Sequence, residues 1–216
     1  VTDTPDTAGT AGTAEAADTA GGFAIDAAAQ DLLFRSARTA NTFSDEPVSD
    51  EQIRALYDLV KWGPTSMNTQ PLRLVLVRSA EARARLATHL FPGNRAKSAQ
   101  APLVAVLAAD TAFHDTLPRV FPHLPGARDL FADAAAREQT ARNQAWLQVG
   151  YVIVGVRALG LAAGPMVGFD AAGLDADLLA GTSLRSLVVL NIGRPGPDAW
   201  RARLPRLEYD EAVLER

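Results

Sequence analysis

The 216-residue chain is 48% hydrophobic and 21% charged, which suits a soluble globular protein long enough to bury one full core. Its net charge of −4 originates in residues 1–22, which hold Asp3, Asp6, Glu15 and Asp18 without a single Lys or Arg; the remaining 21 acidic groups balance 21 basic ones over 23–216. A balanced body without a basic block argues against nucleic-acid binding, and the lack of cysteine removes disulfides, thiolate catalysis, iron–sulfur clusters and Cys-ligated zinc.

Residues 1–22, rich in Ala, Thr, Gly and Asp and without an apolar period, read as a disordered tail before a single domain over 23–216. They have neither the basic nor the apolar region of a secretory signal. The longest apolar run, Val149 to Ala163, is broken by Arg157 and three glycines and is short for a membrane span. The expectation is a soluble, cytoplasmic protein that engages neither membrane nor nucleic acid.

In chain order, a first helix is expected over Asp26–Ser36, with Asp26 as N-cap and Leu32 and Leu33 inward. Ser49-Asp50-Glu51-Gln52 is a capping box, and Ile53, Leu56, Tyr57 and Val60 then recur at helical spacing, carrying a second helix to about Lys61. Between this helix and a strand at Leu72–Val77 lies Trp62-Gly63-Pro64-Thr65-Ser66-Met67-Asn68-Thr69-Gln70-Pro71. Its two prolines make it an ordered, non-helical connector, and Thr65, Ser66, Asn68, Thr69 and Gln70 offer hydrogen-bonding groups. A helix at Ala80–Leu90 and a buried strand at Leu103–Ala108 follow. Phe113–Gly126, with four prolines or glycines around Phe121 and His123, reads as an irregular excursion. Ala134–Leu159 is the longest helix; it is apolar almost all round after Gln148, which calls for burial on both sides, best met at a subunit interface. Gly160 ends it. A short strand at Met166–Phe169, a helix at Asp170–Leu179, a strand at Leu187–Ile192 and a polar end from Pro197 complete a three-layer α/β or α+β plan.

There is no G-x-G-x-x-G after a strand, no phosphate-binding G-x-x-x-x-G-K and no nucleophile elbow, and His89, His114 and His123 lack metal-ligand spacing. Any chemistry must therefore come from a cofactor or from groups that bind one. Four segments join the connector as binding elements. Arg38-Thr39-Ala40-Asn41-Thr42-Phe43 follows the first helix. Asn94-Arg95-Ala96-Lys97 sets an amide and an amine one helical turn apart. Gly164-Pro165-Met166-Val167-Gly168-Phe169-Asp170 permits close backbone approach. Arg201-Ala202-Arg203-Leu204-Pro205 carries a basic pair. Taken singly, each also has a plain structural explanation: an exposed arginine, a helix surface pair, a strand turn, a solvated tail.

In order along one chain, these segments resemble the nitroreductase family of FMN-dependent oxidoreductases, from Leu33 to the C-terminus. Lys61-Trp62-Gly63-Pro64-Thr65-Ser66, Ala158-Leu159-Gly160-Leu161, Gly164-Pro165-Met166, Gly168-Phe169-Asp170 and Ala202-Arg203-Leu204-Pro205-Arg206-Leu207 are similar to its RutE/HadB-type branch, that of malonic semialdehyde reductases. The resemblance implies an α+β, three-layer α/β/α nitroreductase-like fold with a central mixed sheet and FMN at a homodimer interface. It places Arg201 and Arg203 about the phosphate, and Arg38, Thr39 and Asn41 near the ribityl phosphate or the pyrimidine end. Asn94 and Lys97 fall at the N1–C2=O2 edge of the flavin ring, and Val167–Gly168 offers a backbone N–H to N5. Pro64, Thr65, Ser66, Asn68 and Gln70 reach the flavin of the other subunit. Ala37 and Asn41 stand where the family usually has basic residues, which shifts weight to the C-terminal arginines; Val167 replaces an often acidic residue. The implied activity is two-step hydride transfer from NADH or NADPH through FMN to a small-molecule acceptor, with malonic semialdehyde or another small carbonyl as one candidate. A quinone or nitroaromatic reductase, a biosynthetic flavin dehydrogenase and a non-catalytic flavin-binding protein are the alternatives. Phe121, His123 and Trp146 are substrate-side candidates that core packing or a surface loop explains equally well.

Overall fold

The structure, a computed structural model, describes residues 22–216; the tail expected over 1–22 lies outside the described residues except for Gly22. Strands β1 (Leu72–Val77), β2 (Leu103–Asp110), β3 (Ala162–Met166) and β4 (Leu184–Gly193) form one sheet in the order β1-β2-β4-β3. All three pairings are antiparallel, so the expected mixed sheet is corrected for the described strands. The cause is strand order: β2 and β3 run the same way but β4 lies between them, and β2 likewise separates β1 from β4.

The layering follows from strand alternation. On β2, Leu103, Ala105, Leu107 and Ala109 face one apolar cluster, whereas Val104, Val106 and Ala108 face the other. Helices α2 (Asp50–Val60) and α6 (Ala134–Ala158) cover the first face; α3 (Ala80–His89), α4 (Pro92–Gln100) and α7 (Ala171–Leu178) lie on the second side. A bulge between Leu107 and Ala108 leaves Leu187 unpaired, which lets Leu187 and Val188 both enter the first cluster.

Several expected elements are seen as read. Ser49 and Gln52 form a reciprocal capping box on α2, and Asp170 caps α7 by accepting from Gly173 N. Helix α6 ends at Gly160, whose φ of +72° suits glycine. Its Ala141, Ala145, Val149, Val152 and Val156 enter the core, while Trp146, Leu147 and Tyr151 remain exposed on another face. At Gly155 the two helices meet so closely that a Cβ would stand 2.3 Å from Val60 Cγ1.

Other elements differ. The first helix is an α-turn, α1 (Ala27–Gln30), continued by a π-helical turn over Asp31–Arg35. Asp26 caps it as expected, but the wider winding leaves Leu32 exposed; its carbonyl accepts from Arg157 Nε at 2.7 Å. The strand expected at Met166–Phe169 is instead Ala162–Met166. Ala, Gly and Pro gave it little β character, and Pro165 is tolerated because β3 is a sheet edge. The excursion holds a 3₁₀ turn at Phe113–Thr116 and α5 (Leu117–Val120), and a second 3₁₀ turn at Ala127–Phe131 follows it. The polar end carries one short helix, α8 (Tyr209–Ala212), and residues 200–216 are exposed throughout.

Candidate anion and cofactor site

Two stretches distant in sequence lie side by side beyond the π-helical turn. Asn41 N–H donates to Ala199 O (3.0 Å), Gly196 N–H to Thr42 O (3.1 Å), and Arg38 Nη1 to Arg201 O (3.1 Å). Arg203 Nη2 donates to the carbonyls of Arg35 and Ala37, the second at 3.2 Å. A cation suits this end of a helix, where carbonyls lack intrahelical partners. The Asn41 amide is likewise spent nearby, on the Thr39 and Ala199 carbonyls.

Between these stretches and α4 lies a cavity of about 290 Å³, lined by Arg38, Thr39, Asn41, Lys97, Arg201, Arg203 and Arg206 with Ala37, Ala202 and Leu204. Five cationic side chains and no carboxylate face it. Like charges so gathered repel, and a phosphate dianion, which guanidinium groups bind through paired donors, relieves that repulsion. Lys97 makes no ion pair or hydrogen bond among the described residues, so its charge is available to a ligand. Six of the residues proposed from sequence thus meet in one place.

Asn94, Val167 and Gly168 form a neighbouring unit. Asn94 Nδ2 donates to Gly168 O at 3.0 Å, and Phe91 N–H donates to the same carbonyl at 3.1 Å. A Cβ on Gly168 would stand 2.8 Å from Asn94 Nδ2, so a larger residue there would push the amide away from the Gly168 carbonyl. Asn94 therefore orients the Val167–Gly168 turn, whose Gly168 N–H has no partner among the described residues.

The connector residues Pro64, Thr65, Ser66, Asn68 and Gln70 do not line this cavity. Their order comes from their own subunit: Gln70 N–H donates to Thr65 Oγ1 (3.1 Å), Ser66 N–H to Gln144 Oε1 (2.7 Å), and Asn68 Nδ2 to Val120 O (2.8 Å). Met67, Asn68 and Gln70 all have positive φ, a concentration of backbone strain typical of binding segments. Gln70 lines a different cleft, of about 510 Å³, along the free edge of β1.

Sequence reasoning passed over Arg206 and Arg157. Arg206 lines the cationic cavity, and the spacing Arg201-x-Arg203-x-x-Arg206 was a signal for it. Arg157 looked like an interruption of an apolar run, and only the fold brings it beside Arg38. Among the described residues no His, Asp or Glu cluster could hold a metal ion, and no helix is long and apolar enough to cross a membrane.

A three-layer α+β chain with a cationic cleft between the segment after its first helix, α4 and its C-terminal segment has the charge to hold an anionic ligand. Residues 34–194 match the model of the nitroreductase family, and the chain belongs to that family. It is 60% identical over 190 residues to a Streptomyces griseus protein provisionally named an NADH dehydrogenase/NAD(P)H nitroreductase, covering 88% of this chain and 96% of that one. A Leptothrix cholodnii protein of the same name is 50% identical over 190 residues, with 88% and 96% covered. Among solved structures, an Exiguobacterium sibiricum nitroreductase, also provisionally named and in complex with FMN, superposes with a TM-score of 0.75 at 16% identity, covering 87% and 96%.

Proposed function

We propose that this chain is an FMN-dependent oxidoreductase that takes its electrons from NADH or NADPH and works as a homodimer. The observation that carries the reading is the cavity faced by five cations and no carboxylate, among them Arg38, Arg201 and Arg203, which the family resemblance assigns to the phosphate end, and Lys97, which it assigns to the ring. FMN needs strong donors for a dianion at one end and hydrogen-bonding groups for a ring at the other. Arg38, Arg201 and Arg203 meet the first need. Lys97 and the Asn94-supported turn, with its unengaged Gly168 N–H, meet the second. The printed names of the Streptomyces and Leptothrix relatives, and the FMN in the Exiguobacterium structure, point the same way.

FMN, when bound, supplies two-electron chemistry between the reduced nicotinamide and an oxidised acceptor. The chain's own residues bind and orient it, and no side-chain acid or base is required for hydride uptake. The RutE/HadB-type segments make malonic semialdehyde, or another small carbonyl, one acceptor to try beside quinones and nitroaromatics.

Three features support the dimer. Tyr57, Trp62, Trp146, Leu147 and Tyr151 leave an exposed apolar surface on α2, α6 and the connector; Trp62 alone is 80% exposed. The connector is rigid and strained, yet outside its own subunit's cationic cavity. Finally, the exposed end 207–216 combines Leu207, Tyr209, Val213 and Leu214 with Glu208, Asp210, Glu211 and Glu215. We place that segment against the β1-edge cleft of a second copy, lined by Leu72, Leu74 and Leu76 with Arg119, whose other two cations, Lys61 and Arg73, are already paired with Asp58 and Asp110.

The test is chemical. The chromophore released on denaturation is compared with FMN and FAD, and NAD(P)H oxidation is followed with the acceptor panel. One FMN per chain and acceptor-dependent turnover are expected. FAD, or no flavin after reconstitution, overturns the proposal.

A further inference from the structure

Beside the cationic cavity lies a second, of about 220 Å³, which shares Ala37, Arg38, Thr39 and Arg206 with it and adds Arg157 from the end of α6. Arg157 is only 8% exposed, and no carboxylate pairs with it among the described residues. Its Nε donates to Leu32 O at 2.7 Å. Its terminal nitrogens make no hydrogen bond, yet they are not sealed away with the buried unpartnered atoms, so they open onto the cavity their residue lines. Burial holds the pKa of this guanidinium below the ordinary arginine value, and arginine remains charged regardless.

A buried cation without a counter-ion is costly to keep. Holding the Leu32 carbonyl does not account for it, because a neutral amide could make that single bond. Four donor hydrogens on the two terminal nitrogens are left over, facing a space that Arg38 and Arg206 also face. Their mutual repulsion is relieved by an anionic or acceptor-rich occupant.

We propose that Arg157 is a further residue of the cofactor site, donating through its terminal nitrogens to the bound flavin nucleotide; this rests on the flavin reading above. Arg157 then does two things at once. It ties the π-helical turn to α6 through Leu32, which sets the position of the Arg38 segment, and it adds a sixth cation to the pair of cavities.

The experiment uses the full chain loaded with FMN. Arg157→Gln keeps a group able to bond Leu32 O but loses the charge and the fork. Its FMN dissociation constant, read from flavin fluorescence, should rise about tenfold, equivalent to about 1.4 kcal/mol. Melting of the flavin-free protein should change far less than melting of the loaded one, because a ligand lost from the native state lowers only the loaded stability. An unchanged dissociation constant overturns the proposal, whether or not the variant's dimer loosens in sedimentation; a loosened dimer with normal FMN binding would assign Arg157 to a carboxylate of a second subunit. Should Arg157→Gln not fold, Arg157→Lys is read the same way, with about threefold weaker binding expected for loss of the planar fork and no change overturning it. Wild-type protein that takes up no FMN would instead sink the flavin reading itself, so the two failures are distinguishable.

Discussion

Arg203 divides its donors. Nη2 is spent on the carbonyls of Arg35 and Ala37, while Nε and Nη1 make no hydrogen bond among the described residues and are available in the cavity. Arg203→Ala therefore removes charge-assisted bonds of about 1.5–3 kcal/mol, and FMN should bind roughly ten- to a hundredfold more weakly in an equilibrium titration. Lys97 lies in the same cavity but on α4, one turn from the Asn94 that supports the Val167–Gly168 turn. Lys97→Ala should cost little affinity yet make the flavin potential more negative, because a cation near the ring favours the reduced, more negative form. A redox titration checks this; an unmoved potential together with normal FMN binding by Arg203→Ala would mean that the flavin lies the other way round. These residues were legible from sequence because arginine pairs and amide–amine turns declare their chemistry locally. Arg157 was not, since its meaning depends on a neighbour 125 positions away.

Among the elements, α2 and α6 depend on one missing side chain. A Cβ at position 155 would overlap Val60 Cγ1 at 2.3 Å and Leu56 Cδ1 at 2.9 Å, so Gly155→Ala should destabilise by about 1–3 kcal/mol in denaturant unfolding. Wild-type stability in that variant would show that the helices can separate freely. On the other face, Asp177 joins α7 to α3: Arg85 Nε donates to Oδ1 at 3.0 Å and His89 Nε2 lies 2.9 Å from Oδ2. The Arg85 guanidinium first, and the His89 ring second, hold the Asp177 carboxyl below the usual aspartate range. With the folded-state pKa below the unfolded one, the stabilisation is complete above about pH 4 and fades as pH falls through the folded value. Asp177→Asn should thus lower the melting temperature at pH 7 and converge with wild type in acid; a gap that stays constant with pH would assign the loss to packing instead. Helices with caps and strands with β-branched runs could be read in advance. The edge strand Ala162–Met166 could not, because its Ala-Ala-Gly-Pro-Met sequence is held by pairing to β4 rather than by its own propensity.

For the whole molecule, the layer plan follows from alternating helices and strands, whereas the antiparallel order of the sheet depends on long-range pairing that no local pattern encodes. What lies beyond a single chain is argued from surfaces. The apolar face of α2 and α6 and the C-terminal segment are exposed and the connector is strained, and the proposed homodimer would use all three. Deleting residues 207–216 removes the four acidic and four apolar side chains proposed for the interface, together with Arg216, while leaving Arg201, Arg203 and Arg206 in the cavity. The truncated protein should therefore still bind FMN when concentrated but dissociate at dilutions where the full chain remains dimeric, losing flavin as it does so. Sedimentation velocity across a dilution series, with flavin absorbance as the second signal, reads both effects together. A truncated protein that stays dimeric and yellow at every dilution would remove the C-terminal segment from the interface. A full-length chain that is monomeric and fully active would remove the dimer altogether.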